Sequence, residues 1–185
     1  MTIRFGTSET LKPLSRVPAS NRTFQAPVYA TIGNDLLFSY YAHTDETGWS
    51  ERFAANPTDA LERQKYALLR FRHVMHFSSE IYEDDTVSKH RLSQLGLKPF
   101  SHYEVEKSEL IKIIRRRLAD SEIHQYDCPS LLHHFVFTMH GTIFEIVSSG
   151  IEIETGQGST WSALEQFFRH PTKEAHDASI SRSIA

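Results

Sequence analysis

A chain of 185 residues with 39% hydrophobic and 23% charged side chains is long enough to bury a core without disulfide or metal staples. Its formal net charge of −3 excludes a general electrostatic pull toward nucleic acid or anionic lipid, and a lone cysteine, Cys128, excludes an intrachain disulfide and a cysteine-built zinc site. Eleven histidines are the one compositional excess, and they make the protein's charge sensitive to mild acid.

Residues 1–22 are polar, carry Pro13 and Pro18 and lack periodicity, which predicts an extended arm. They contain no apolar stretch of signal-peptide length, and no run in the chain reaches membrane-spanning length. With the single cysteine, this gives the expectation of a cytoplasmic protein that does not enter a membrane. A single domain over residues 23–170 follows, opening with "APVYATIGNDLLFSYYAHT". Two β-rich runs there flank Gly33-Asn34-Asp35, a hairpin signal. "NPTDALERQKYALL" from Asn56 predicts a helix, with Pro57 and Thr58 near its start. "RFRHVMHFSSEIY" alternates, placing Phe71, His73, Met75 and Phe77 on one side of a strand.

"DDTVSKHRLSQLGL" predicts a short helix ended by Gly96, and "PFSHYEVE" a strand. In "SELIKIIRRRLADSE", Ser108 is the expected N-cap of a helix whose Leu110, Ile111, Ile114 and Leu118 form an apolar stripe. "HHFVFTMHGTIFEIV" then predicts a hairpin turning at His140-Gly141. The loop "ETGQGST" leads to a last helix, "WSALEQFFR", with Ser162 and Glu165 as its capping box. Residues 171–185 are read as a mobile tail. The sum is an α+β domain, a mainly antiparallel sheet with three or four packed helices.

Two of these stretches carry ordered patterns. "HRLSQLGLKPFSHYEVEKSELI" has His90, Leu92, Gly96, Leu97, Pro99, Tyr103, Glu104, Val105, Ser108 and Ile111 in place of a pattern H-P-L-x-x-x-G-L-x-P-Y-x-x-Y-E-V-x-N-S-x-W-I. "HFVFTMHGTIFE" matches H-Y-I-F-x-F-H-D-S-T-F-E at His134, Phe137, His140, Phe144 and Glu145. Both resemble segments of an uncharacterised group of bacterial proteins, over about sixty residues from His90 to Val147. Among the departures are Arg91, Lys107 and Gly141, where that group has Pro, Asn and Asp. The resemblance implies a bacterial family and no particular chemistry.

Pleat geometry sorts the candidate residues. If His140-Gly141 is the turn, Phe135, Phe137, Phe144 and Ile146 share one face, and His134 shares the other with Glu145. Glu145 then lies opposite Val136, diagonal to His134, as a general base with its orienting carboxylate would, or as half of a metal site. His133 and His134 point to opposite faces and cannot chelate one ion. If the strand "SHYEVE" lies beside the hairpin, Glu104 and Glu145 make a carboxylate pair of the kind glycoside or phosphodiester chemistry uses. The catalytic candidates are therefore His134, His140, Glu145 and Glu104. Each has a structural alternative: a buried ion pair, an exposed turn histidine, a solvated strand face.

Gly156, Gly158 and Ser159 before the last helix form a candidate anion cradle, although the P-loop Lys-Ser/Thr is absent. Lys112, Arg115 and Arg116 face away from the apolar stripe of their helix, and in a net negative chain they read as a solvated face, not a nucleic-acid contact. No cofactor motif is present and no metal site is expected. The expectation is an accessory, immunity-like module that binds another macromolecule, most simply a protein. The alternative is a hydrolase, metal-assisted or not, working from the four His/Glu positions.

Overall fold

The computed structural model describes residues 8–22, 27–43, 63–82, 87–120, 131–139 and 141–169. In chain order these form β1 (Thr10–Pro13), β2 (Val28–Ile32), β3 (Asp35–Tyr41), β4 (Lys65–Arg72), β5 (His76–Ile81), β6 (His102–Glu106), α1 (Glu109–Ala119), β7 (His133–Met139), β8 (Thr142–Ser148), β9 (Gly150–Gln157) and α2 (Thr160–Arg169). The strands pair antiparallel in two sheets, one ordered β1-β6-β7-β8-β5 and the other β2-β3-β4-β9.

The chain changes sheets three times, between β1 and β2, between β4 and β5 and between β8 and β9, and the last two crossings are adjacent. Between β4 and β5, His73 turns through φ +49° while its N–H donates to Asp35 Oδ1 at 3.0 Å. Between β8 and β9, Ser149 N–H donates to Arg72 O at 2.8 Å, and Ser149 Oγ lies 3.1 Å from His73 Nδ1. These bonds join the two crossings and satisfy backbone that leaves a ladder.

The two sheets face each other across an aromatic core. Phe38 and Phe71 from the four-stranded sheet meet Phe137 and Phe144 from the five-stranded one, with Phe38 centred 5.0 Å from Phe144 and 5.8 Å from Phe137. All of them are buried to 2% exposure or less, so this layer contributes the largest share of hydrophobic stabilisation. On the outer face of the five-stranded sheet, α1 packs Ile114 against Leu132 and Val147, and Val87, Leu92 and Leu97 cover Tyr103, Val136 and Ile143. On the outer face of the other sheet, α2 packs Leu164 against Leu37 and Leu68.

This corrects the predicted architecture. Among the described residues there are two α-helices on a pair of packed sheets, not three or four helices on one. "KYALL", read as the end of a helix, is the first half of β4, hydrogen-bonded to β3 on one side and β9 on the other. Ala67, Leu68 and Leu69 are all buried there, and burial in a central strand overrides their helical propensity. Residues 56–62 of that predicted helix lie outside the described residues, as do Cys128 and residues 171–185.

The helix read over "DDTVSKHRLSQLGL" is, from Val87 onward, two 3₁₀ turns, Val87–Lys89 and Ser93–Leu95, stopped by Gly96, and residues 84–86 lie outside the described residues. The strand read through "RFRHVMHFSSEIY" is broken at 73–75 by the crossing between β4 and β5. "ETGQ" is strand, and α2 starts at Thr160 with Ser159 Oγ accepting from Trp161 N–H at 3.2 Å, so Ser162 is not its cap. The predicted hairpins form as read: Ile32 pairs with Asp35, and Met139 with Thr142 across His140-Gly141, where Gly141 takes φ +67°. Ser108 caps α1, its Oγ accepting from Ile111 N–H. No helix among the described residues is long and apolar enough to cross a membrane.

Candidate functional site

Two of the residues singled out in the hairpin meet on the outer face of the five-stranded sheet, beneath α1 and the 3₁₀ turns. His134 and Glu145 project from β7 and β8 in the diagonal relation that the register dictates, with His134 opposite Val147 and Glu145 opposite Val136. His134 Nε2 donates to Glu145 Oε2 at 2.8 Å. His90, from the turn between the 3₁₀ segments, donates its Nε2–H to Glu145 Oε1 at 3.1 Å. Its tautomer is fixed locally, because Leu92 N–H donates to His90 Nδ1 at 3.2 Å and leaves the ring proton on Nε2.

Arg91 completes the set. Its Nη2 lies 2.7 Å from Glu145 Oε2 and its Nη1 3.0 Å from Glu9 Oε2, so one guanidinium bridges two carboxylates. Glu9, just ahead of β1 and 3% exposed, uses its other oxygen to accept Glu109 N–H at 2.9 Å, at the first turn of α1. On the far side, His134 Nδ1 lies 2.8 Å from Ser108 Oγ, the same hydroxyl that caps α1. A continuous chain therefore runs Ser108–His134–Glu145–Arg91–Glu9, with His90 as a second donor on Glu145. It ties together β1, α1, β7, β8 and the 3₁₀ turns.

Burial alone would raise the Glu145 pKa. The hydrogen bonds from His134 and His90, followed by the electrostatic attraction of His134 and Arg91, outweigh it and hold the carboxyl well below the ordinary carboxylate range. Glu145 is thus a permanent anion near neutral pH.

Ser108, His134 and Glu145 have the order of a Ser-His-acid relay, which pattern reading did not find because Ser108 was assigned only as a cap. The geometry is that of a brace. Ser108 is 3% exposed and His134 0%, and the Ser108 oxygen already accepts a backbone N–H. A nucleophile needs an approach for substrate and donors for the developing oxyanion. At the start of α1, Ser108 Oγ takes the Ile111 N–H and Glu9 takes that of Glu109. Two imidazoles and a carboxylate also suggest a metal set, but both rings direct N–H at the carboxylate and Arg91 places a positive charge on Oε2. Among the described residues, no group of three or more His, Cys, Asp or Glu is arranged to hold a metal ion.

The remaining candidates go elsewhere. β6 does lie beside β7, but His102 pairs with Phe137 and Glu104 with Phe135, which sends Glu104 to the opposite face from Glu145. The carboxylate pair is therefore not formed; Glu104 Oε1 instead lies 2.5 Å from Nδ1 of His133, itself stacked on Phe135. His140 lies outside the described residues. His90, Arg91 and Glu9 were not among the candidates: the first two stand side by side in the "HRL" pattern, whereas Glu9 carries no signal in its polar arm.

The proposed anion cradle is closed by its own backbone. Gly156 is paired with Tyr66 inside the β4–β9 ladder, Gly158 N–H donates to Gln64 O at 2.9 Å, and Ser159 Oγ is taken by the α2 cap. Gly156 has a packing role: a Cβ there would overlap Tyr66 Oη and lie 2.5 Å from its Cζ. Gly156→Ala is expected to cost about 1–3 kcal/mol in urea denaturation, and clearly less in a Tyr66→Ala background where the ring is gone.

Comparisons of the chain with protein-family models, with curated proteins and with solved structures found no match.

Proposed function

We propose that this chain is a protein-binding module of a reducing, cytoplasmic compartment, and that the outer face of α2 is its contact surface. One observation carries the reading: Trp161 is 64% exposed and Phe168 50% exposed, seven residues apart on one helix. At 3.6 residues per turn that spacing returns to the same stripe, so the two rings stand in line. The inner side of α2 anchors itself through Ala163, Leu164 and Phe167, so the fold does not need the outer pair. Glu165, paired with Arg169, lies within the same stripe and supplies a polar edge. Exposed Trp and Phe beside a charged pair have the chemistry of an interface hot spot, for a partner offering an apolar pocket with a polar rim.

The hydrolase alternative has less support. Glu104 lies on the opposite face of the sheet from Glu145, and His134 and Glu145 are buried and bonded to one another. Trp161→Ala/Phe168→Ala is expected to leave the melting temperature unchanged and to abolish cross-linking to a protein partner that the wild type recovers from its native host. Two lost anchors at about 2 kcal/mol each weaken binding by more than a hundredfold. Recovery of the same partner by the double variant, or of no specific partner by the wild type, would overturn the proposal.

A further inference from the structure

We propose that a second site, sharing no residue with the Glu145 chain, binds a small carboxylic acid carrying a flat apolar group. A cavity of about 280 Å³ is lined by Ala19, Ser20, Arg22, His43 and Phe100. That is room for a small organic molecule and not merely for one water.

Three features make it a built site. Ser20 is 5% exposed, yet its Oγ has no hydrogen-bond partner among the described residues. A buried hydroxyl left unpaired is destabilising, and it is accounted for when a ligand atom completes it. Next, Phe100 holds φ +55°, a backbone region that a bulky residue rarely adopts. Its ring is thereby set beneath Arg22, whose Cζ lies 5.6 Å from the ring centre. Finally, the floor is rigid: Ser20 bridges Ala42, Asn21 N–H donates to Tyr41 O at 2.8 Å, and His43 N–H to Ala19 O at 2.7 Å.

The lining selects the ligand. Arg22 offers only donors, Ser20 offers a hydroxyl, and among the described residues no carboxylate lines the cavity, so the ligand brings acceptors and negative charge. The planar guanidinium suits a carboxylate, held in two parallel bonds. The Phe100 ring and the Ala19 methyl give an apolar wall for the rest of the molecule.

The test is a titration of the full chain with benzoate, followed by amide NMR, with benzamide and inorganic phosphate as controls. Benzoate is expected to shift the Ser20, Arg22 and Phe100 amides saturably. Benzamide and phosphate are each expected to bind at least tenfold more weakly, one lacking charge and the other the apolar group. Arg22→Gln changes an exposed residue and should weaken benzoate at least tenfold. Ser20→Ala removes a hydroxyl with no partner among the described residues, so the fold tolerates it, and should weaken benzoate several-fold. No saturable shift, equal binding of either control, or undiminished binding by Arg22→Gln overturns the proposal.

Discussion

Replacing Glu145 with alanine is expected to cost about 3–5 kcal/mol of stability, because it strands Arg91, His90 and His134 in a buried setting without their shared acceptor. For a chain of this size that lowers the melting temperature by about 6–20 °C. Glu104→Ala is the matched control. Glu104 also pairs with a hairpin histidine, but its side chain is 26% exposed and that of His133 29%, so the loss should be about 1 kcal/mol or less. Urea denaturation of both variants reads the difference directly. Equal losses would mean that Glu145 is no more embedded than a surface ion pair.

The second large effect is one of pH, and it originates in the sandwich core. His102 projects between the sheets, with its ring 4.6 Å from that of Phe137 and 5.5 Å from that of Tyr40. Among the described residues neither ring nitrogen has a hydrogen-bond partner of good geometry, and burial lowers the pKa from 6.5 to about 4, with the Pro18 and Ser101 carbonyls close enough to oppose the shift only in part. The unfolded chain therefore binds a proton that the folded chain refuses. Stability is fully present above pH 6.5 and falls as pH drops toward 4, by about 3 kcal/mol. Glu145 adds to the loss further into acid, since its carboxyl is also depressed and stability goes as it protonates. His102→Phe should flatten the curve between pH 6.5 and 4 while leaving the deeper acid transition in place. An unchanged slope in that variant would show that other groups cause it.

Much of the five-stranded sheet was legible because its signals are local. Alternation and a His-Gly turn fixed the β7–β8 register, and register fixed the His134–Glu145 diagonal. The failures have equally definite causes. Glu104 was placed with Glu145 because the parity of the β6–β7 register depends on where β6 docks, and a shift of one residue exchanges its faces. "KYALL" was given to a helix because Ala, Leu and Lys favour one locally, whereas two neighbouring strands decide its state. Glu9 could not be found at all: its partners Arg91 and Glu109 are 82 and 100 residues away, and no periodicity marks it. Ser108 was read correctly as a cap, but its second bond to His134 depends on how α1 lands on the sheet.

The central claim is that Ser108, His134, Glu145 and His90 form a closed structural brace and not an open reaction centre. Long-range proton–nitrogen NMR of the imidazoles at neutral pH addresses it most directly. The brace predicts resolved Nε2–H signals for His134 and His90, protected from exchange with water, and an unprotonated Nδ1 on His90. Nε2 protons on His134 that exchange as fast as those of a solvent-exposed imidazole would contradict it, and would reopen the cluster as a site.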